Sequence, residues 1–243
     1  MEQIFTRPNR DDRQDIGRGI KQVKLGGEMS EYCVAFDIGN VLCEVDLEHF
    51  YSIYNENIYY GNRSLNNAQD FLDCLHAQQD LGASTVDKKL IELSLFGAPD
   101  LSREKIEKIK RGWNETIVIH DMMIEFKNDL LRRGVNVALL SNMGFEHKEH
   151  IKKKHPELFD GCILHLSCDV GARKPSRLYY QSFLLDHPEF KGALYLDDLD
   201  NNLGMGEEYS FRPYKLELKK VLEYTEVQKE ELWRHIRWCI FKK

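Results

Sequence analysis

The chain has 243 residues, of which 42% are hydrophobic and 30% charged. That is room for one large domain, or a core with one modest insertion, and it is too apolar to remain unfolded throughout. With 34 basic and 40 acidic side chains the net charge is −6, so no global positive field draws a polyanion and nucleic acid is not the default partner.

Residues 1–30 mix charges of both signs with glycine and show no hydrophobic period, which reads as a loosely packed leader. Met29 stands just before the first strand signal, and Gly26-Gly27-Glu28 could be encoded by a purine-rich, ribosome-site-like stretch, which points to Met29 as the start. The run Tyr32 to Ile38 is short, apolar and β-prone and stops at Gly39-Asn40, as a strand buried on both faces would. Three more such runs follow: Val135 to Leu140 ending at Ser141-Asn142, Cys162 to Leu166, and Ala193 to Leu196 ending at Asp197-Asp198.

Between these strands lie helical periods, Met122 to Arg133 with Met123, Phe126 and Leu130 on one face, and Ser176 to Leu185 with Tyr179 and Phe183. Strands alternating with helices predict an α/β fold with a mostly parallel sheet. From Asp46 to about Ile119 no convincing strand occurs, only helical spacings around Phe50 to Tyr54, Phe71 to His76, Leu90 to Phe96 and Ile106 to Trp113, so this stretch reads as a helical insertion after the first strand. After Asp198 come one strand candidate, Phe211 to Leu218, and a charged helix from Lys219 onward. That helix gathers Trp233, Ile236 and Ile240 on one face, predicted to dock on the protein's own core.

Six scattered cysteines without a CxxC pair predict reduced thiols rather than a zinc site. No run approaches the ~18 apolar residues of a bilayer span, and Met1 to Arg13 is too polar for a signal peptide. The chain reads as soluble and cytoplasmic, with no membrane partner. His147, His150 and His155 beside Lys152-Lys153-Lys154 read as a solvated helix face, and Gly204-Met205-Gly206 is half of a dinucleotide fingerprint without its strand.

In parallel α/β sheets ligand groups collect at the carboxyl ends of the strands. There the sequence puts Asp37, Ser141-Asn142 and Asp197-Asp198, with Lys174 between the third and fourth strands. Three carboxylates, a hydroxyl, an amide and an ammonium suit a hard metal plus a phosphate, and without a cation the carboxylates would repel one another.

Phe36-Asp37-Ile38-Gly39-Asn40-Val41-Leu42, Leu140-Ser141-Asn142, Lys174-Pro175 and Leu196-Asp197-Asp198 with Asn202 resemble, in order and spacing over roughly residues 32–210, the motifs of the haloacid dehalogenase-like (HAD) hydrolases. The first motif and Gly112-Trp113-Asn114 look most like the capped subgroup that includes the α-glucose-1-phosphate phosphatases. The resemblance implies a Rossmann-like three-layer core at 31–45 and 118–243 with a helical cap at 46–117. It implies that Asp37 is a nucleophile forming an aspartyl-phosphate, and that Mg²⁺ is held by Asp37, the Gly39 carbonyl and Asp198, with Asp197 close by or acting through water. Ser141 and Asn142 would hold phosphoryl oxygens and Lys174 would neutralise both phosphate and nucleophile.

The implied reaction is hydrolysis of a small phosphomonoester, a sugar phosphate before a nucleotide, by a monomer or homodimer. Many HAD phosphatases carry a second Asp two residues after the nucleophile as general acid; here that position is Gly39. Asp80, His76 and Glu115 of the insertion are the substitutes that position alone offers. Two alternatives stay open. One is a catalytically weakened binding or regulatory protein on the same scaffold, motivated by Gly39 and by the irregular Gly204 to Glu208 stretch. The other is a haloacid dehalogenase, which Asp197-Asp198 argues against because that chemistry needs no metal.

Overall fold

In the computed structural model, which describes residues 31–58, 68–95 and 101–242, the first apolar run becomes β1 (Cys33–Phe36) and a tight turn leads into β2 (Cys43–Val45). The leader at 1–30, the start proposed at Met29, and Phe96 at the end of one predicted helical stretch lie outside the described residues. Helices α1 (Leu47–Asn57), α2 (Ala68–Gln79), α3 (Val86–Leu95) and α4 (Arg103–Asn114) follow, then β3 (Ile117–Ile119). The rest of the chain alternates through α5 (Asp121–Arg132), β4 (Asn136–Ser141), α6 (Phe145–Lys154), β5 (Ile163–Leu166), the single turn α7 (Ser167–Val170), α8 (Arg177–Asp186) and β6 (Leu194–Asp197). It ends with α9 (Asp200–Glu208), β7 (Arg212–Lys215), α10 (Leu218–Leu222) and α11 (Glu226–Phe241).

β5, β4, β1, β6 and β7 form, in that order, a five-stranded sheet in which every pair is parallel. Because strand side chains alternate, each strand feeds two apolar layers. Val34 and Phe36, with Val137, Leu139, Leu194 and Leu196, pack on one side against Met123 and Phe126 of α5 and Trp233, Ile236 and Ile240 of α11. Cys33 and Ala35, with Ala138, Leu140 and Tyr195, face Tyr179, Tyr180 and Phe183 of α8 and Leu203 of α9. This is the predicted three-layer α/β architecture, and the C-terminal face docks on its own core as read.

Helices α1 to α4 have an apolar cluster of their own, centred on Phe50, Tyr54, Phe71, Leu72, Leu90, Ile109 and Trp113. They are bracketed by β2 and β3, which pair antiparallel with Cys43 opposite Ile119 and Val45 opposite Ile117. This ribbon corrects the reading of Asp46 to Ile119 as strandless. Each strand is three residues long and half-exposed, too short for an alternation to register.

Two further corrections come from the C-terminal third. The Gly204 to Glu208 stretch, read as irregular, is the second half of helix α9. Gly206 is required there, since a Cβ would lie 2.8 Å from the Tyr195 ring. The single helix expected after Lys219 is two, because Thr225 caps α11 with a reciprocal box to Gln228. Buried Lys127 of α5 donates to the carbonyls of Glu157, Leu158 and Asp160, tying the turn before β5 to the helix beneath it. The described thiols, Cys33, Cys43, Cys162, Cys168 and Cys239, are unpaired with one another. No helix of the described residues is long and apolar enough to cross a membrane.

Candidate active site

The sheet order reverses at β1, with β4 on one side and β6 on the other, and such a switch point opens a crevice at the strand ends. Asp37 follows β1 directly, Ser141 ends β4 and Asp197 ends β6. Asp37, Asp197 and Asp198 each offer a carboxylate oxygen within 4.8 Å of the others. The Lys174 ammonium, fully buried, stands between two of them, 3.0 Å from Asp37 Oδ1 and 2.7 Å from Asp197 Oδ2. The sequence-predicted set Asp37, Lys174, Asp197 and Asp198 therefore meets in one place.

The carboxylates are not equivalent. Asp197 is wholly buried, and its two oxygens accept from Lys174 Nζ, the Tyr195 hydroxyl, the Asn202 amide and the Leu199 backbone N–H. That saturates it as an anchor behind the site. Asp198 is half-exposed and receives a long 3.4 Å bond from Asn40. Asn40 holds a left-handed backbone at φ 55, which asparagine tolerates better than most residues. Asp37 takes both its contacts, from Lys174 and from the Ile38 N–H at 2.7 Å, on Oδ1.

The electrostatics are unbalanced toward negative charge. Burial pushes the Asp37 carboxyl up to about 6, against the pull of Lys174 and with the push of Asp197. Burial and the Asp197 charge raise Asp198 as well. Burial works to discharge Lys174, yet the Asp37 and Asp197 carboxylates outweigh it and keep the ammonium above the ordinary lysine range. Three carboxylates with one ammonium lack a cation, and an oxygen donor set of this kind fits a hard divalent ion.

The crevice is a cavity of about 300 Å³ lined by Asp37, Gly39, Asn40, Ser141, Asn142 and Asp198 from the core. Asn142 uses its side chain on the Lys174 loop, donating to the Lys174 carbonyl at 3.0 Å and accepting from its N–H at 2.7 Å; it positions the lysine. At Gly39 an added Cβ would sit 3.2 Å from Val45 Cγ2, so the place of the absent second aspartate is crowded.

The insertion closes the cavity with His76, Gln79, Asp80 and Trp113, and the core adds His147 and Arg173. Of the three substitutes offered by position, His76 and Asp80 reach the cavity. Glu115 does not; it pairs with exposed His49. Polar contacts between insertion and core include Asp80 to Arg173 at 3.1 Å, and Glu146 accepting from Gln79 and from the Val86 N–H.

His147 corrects the reading of its helix as a solvated face. It is 8% exposed, stacks on Trp113 with ring centroids 4.4 Å apart, and bonds through Nε2 to the Trp113 carbonyl at 2.8 Å. Only its i, i+4 relation to buried Ile151 could have signalled this. Burial, despite the Trp113 carbonyl and with help from His76 and His150, pushes the His147 imidazole down to about 4. The unfolded chain then takes up a proton below its ordinary value of about 6.5 that the folded chain refuses. Stability should be flat above pH 6.5 and fall by about 2–3 kcal/mol toward pH 4.5 on this account. Urea denaturation of wild type and His147→Gln at both pH values checks it, and the variant should lose that part of the slope.

No protein-family model and no curated protein matches the sequence. Solved structures do. A HAD family enzyme of Bacteroides thetaiotaomicron, in complex with magnesium and inorganic phosphate, superposes with TM-score 0.64 and 21% identity over 76% of this chain and 93% of its own. A magnesium complex of the same enzyme gives TM-score 0.65 and 20% identity over 82% and 98%. A predicted HAD-like family hydrolase of Porphyromonas gingivalis gives TM-score 0.57 and 18% identity over 80% and 98%. With its five parallel strands in register and its helices placed between β2 and β3, this chain has the fold of the HAD enzymes.

Proposed function

We propose that the protein is a Mg²⁺-dependent hydrolase that removes phosphate from a small phosphomonoester, a sugar phosphate before a nucleotide, through an aspartyl-phosphate on Asp37. The observation that carries this reading is the meeting of Asp37, Lys174, Asp197 and Asp198 at the switch point, beside a cavity. Asp37, Asp198 and the Gly39 carbonyl would hold Mg²⁺, with Asp197 acting from behind. When bound, the ion offsets phosphate charge so that an anionic nucleophile can approach. The magnesium and phosphate found with the Bacteroides enzyme support the assignment.

Both contacts to Asp37 fall on Oδ1, which leaves Oδ2 as the attacking oxygen. Ser141 and the backbone around Asn142 would take the phosphoryl oxygens, and Lys174 would neutralise the charge that Asp37 and the phosphate share. Helices α1 to α4 would act as the cap that selects the leaving group, in a cytoplasmic enzyme. Hydrolysis of p-nitrophenyl phosphate and of a sugar-phosphate panel, with Mg²⁺ and with EDTA, tests the reading. Turnover restored by Mg²⁺ after EDTA is expected. Phosphate release that survives EDTA would reject the metal requirement, halide release from a 2-haloacid in EDTA would move the chain to the metal-free dehalogenase chemistry, and binding of inorganic phosphate without any turnover would move it to a binding protein.

A further inference from the structure

An alkyl leaving group departs as an alkoxide unless it is handed a proton, and the core side of this cavity offers no carboxyl at position 39 to give one. Among the described residues that line the cavity, the acids are Asp37, Asp80 and Asp198. Asp37 and Asp198 belong to the charged cluster at the sheet, which leaves Asp80, on the opposite wall.

Asp80 is held there firmly. It ends the first turn past α2, its N–H bonded to the His76 carbonyl. The next turn passes through Gly82 at φ +69, where a Cβ would lie 2.6 Å from the Phe145 ring. That close approach presses the turn against α6. The Asp80 side chain is 13% exposed and its Oδ2 is 3.1 Å from Arg173 Nη2, the residue just before Lys174. The insertion's acid is thus tied to the loop that carries the lysine facing Asp37.

We propose, building on the phosphomonoesterase reading, that Asp80 is the general acid and base of the reaction, standing in from the insertion for the carboxyl absent at position 39. As Asp37 forms its bond to phosphorus, the bond from phosphorus to the leaving oxygen breaks, its electron pair stays on that oxygen, and the Asp80 proton moves to it to give the alcohol. Water then attacks the phosphorus, the bond to Asp37 breaks with its electrons returned to the carboxylate, and the water proton goes to Asp80. Phosphate leaves and the acid is restored.

The environment suits the task. Burial raises the Asp80 carboxyl to about 6, against the opposing charges of Arg173 and Lys174, close to where an acid that must both give and take a proton works best. His76, one helical turn earlier, is shifted the other way by burial and by Arg173. It stacks near Trp113 and is the poorer donor.

Leaving groups provide the test. The p-nitrophenolate of p-nitrophenyl phosphate needs no proton, whereas glycerol 3-phosphate and hexose phosphates do. Asp80→Asn should slow the first step, read as alcohol or phenol release in a single turnover, by about 10²–10⁴-fold on the best alkyl substrate and by less than about 5-fold on p-nitrophenyl phosphate, and should slow hydrolysis of the aspartyl-phosphate alike for both. Equal losses in that first step on both substrates, or no loss on either, would overturn the assignment. So would a wild type that cleaves the aryl ester and no alkyl ester.

Calorimetry with inorganic phosphate separates a structural effect: binding should match wild type, and an Asp80→Asn protein that no longer binds phosphate would assign Asp80 to shaping the cavity instead. A wild type inactive on p-nitrophenyl phosphate with Mg²⁺ present is a different failure, which removes the parent reading and this proposal together.

Discussion

Asp37→Asn should abolish turnover, with kcat down by about 10⁴-fold or more, the scale on which enzymes lose rate when a covalent nucleophile is removed. The substitution keeps size and shape, and Asn can still accept from Lys174 and the Ile38 N–H, the two contacts that Oδ1 makes. It deletes one of the two carboxylates, Asp37 and Asp198, that burial and the neighbouring Asp197 charge push toward protonation. The variant should therefore melt at or above the wild-type temperature while being inactive, which separates loss of chemistry from loss of fold. Acid quench during turnover followed by borohydride reduction should convert residue 37 of the wild type, and no other residue, to homoserine. A variant that retained turnover, or a label appearing elsewhere, would end the account of Asp37 as the nucleophile.

Lys174→Met should produce the largest fall in stability. Removing one partner of a buried ion pair leaves its counter-charges desolvated and costs about 3–5 kcal/mol. Here two carboxylates lose the same ammonium. In a chain of this size that is a melting shift on the order of 10 °C, measurable by calorimetry in EDTA. Adding Asp37→Asn to Lys174→Met should recover part of the loss, because the uncompensated charge then falls to Asp197, which keeps the Tyr195, Asn202 and Leu199 donors. Additive effects of the two changes would mean that Lys174 and Asp37 are not energetically coupled.

Much of the core could be read from the chain because parallel strands covered on both faces are uninterrupted apolar runs, and three of them stop at a residue of the candidate site. Asp37, Ser141 and Asp197 announce themselves by standing where such a run ends. Residues whose role depends on a partner far away in sequence were not readable in the same manner. His147 looks like one more polar residue of a charged helix until Trp113 arrives beneath it. Asp80 could not be separated from Glu115 by position, since only the fold brings Arg173 beside one and His49 beside the other. Asn142 was assigned to phosphate by its motif, yet its amide is engaged by the Lys174 backbone, a contact that spans the intervening strand and turn. The Gly204 to Glu208 stretch looks irregular beside the motif that precedes it, and the Tyr195 ring next to Gly206 explains why a glycine stands there in the helix.

The apolar cluster of helices α1 to α4 is separate from the two that sandwich the sheet, while the halves are joined by the bonds of Arg173, Glu146 and Gln79 and by the Trp113–His147 stack. Parting those halves would exchange the polar bonds for bonds to solvent and would break that one stack, while neither main apolar cluster would unfold. An opening of the cavity would therefore cost far less than unfolding either piece, and the β2–β3 ribbon that joins them is where the chain would bend.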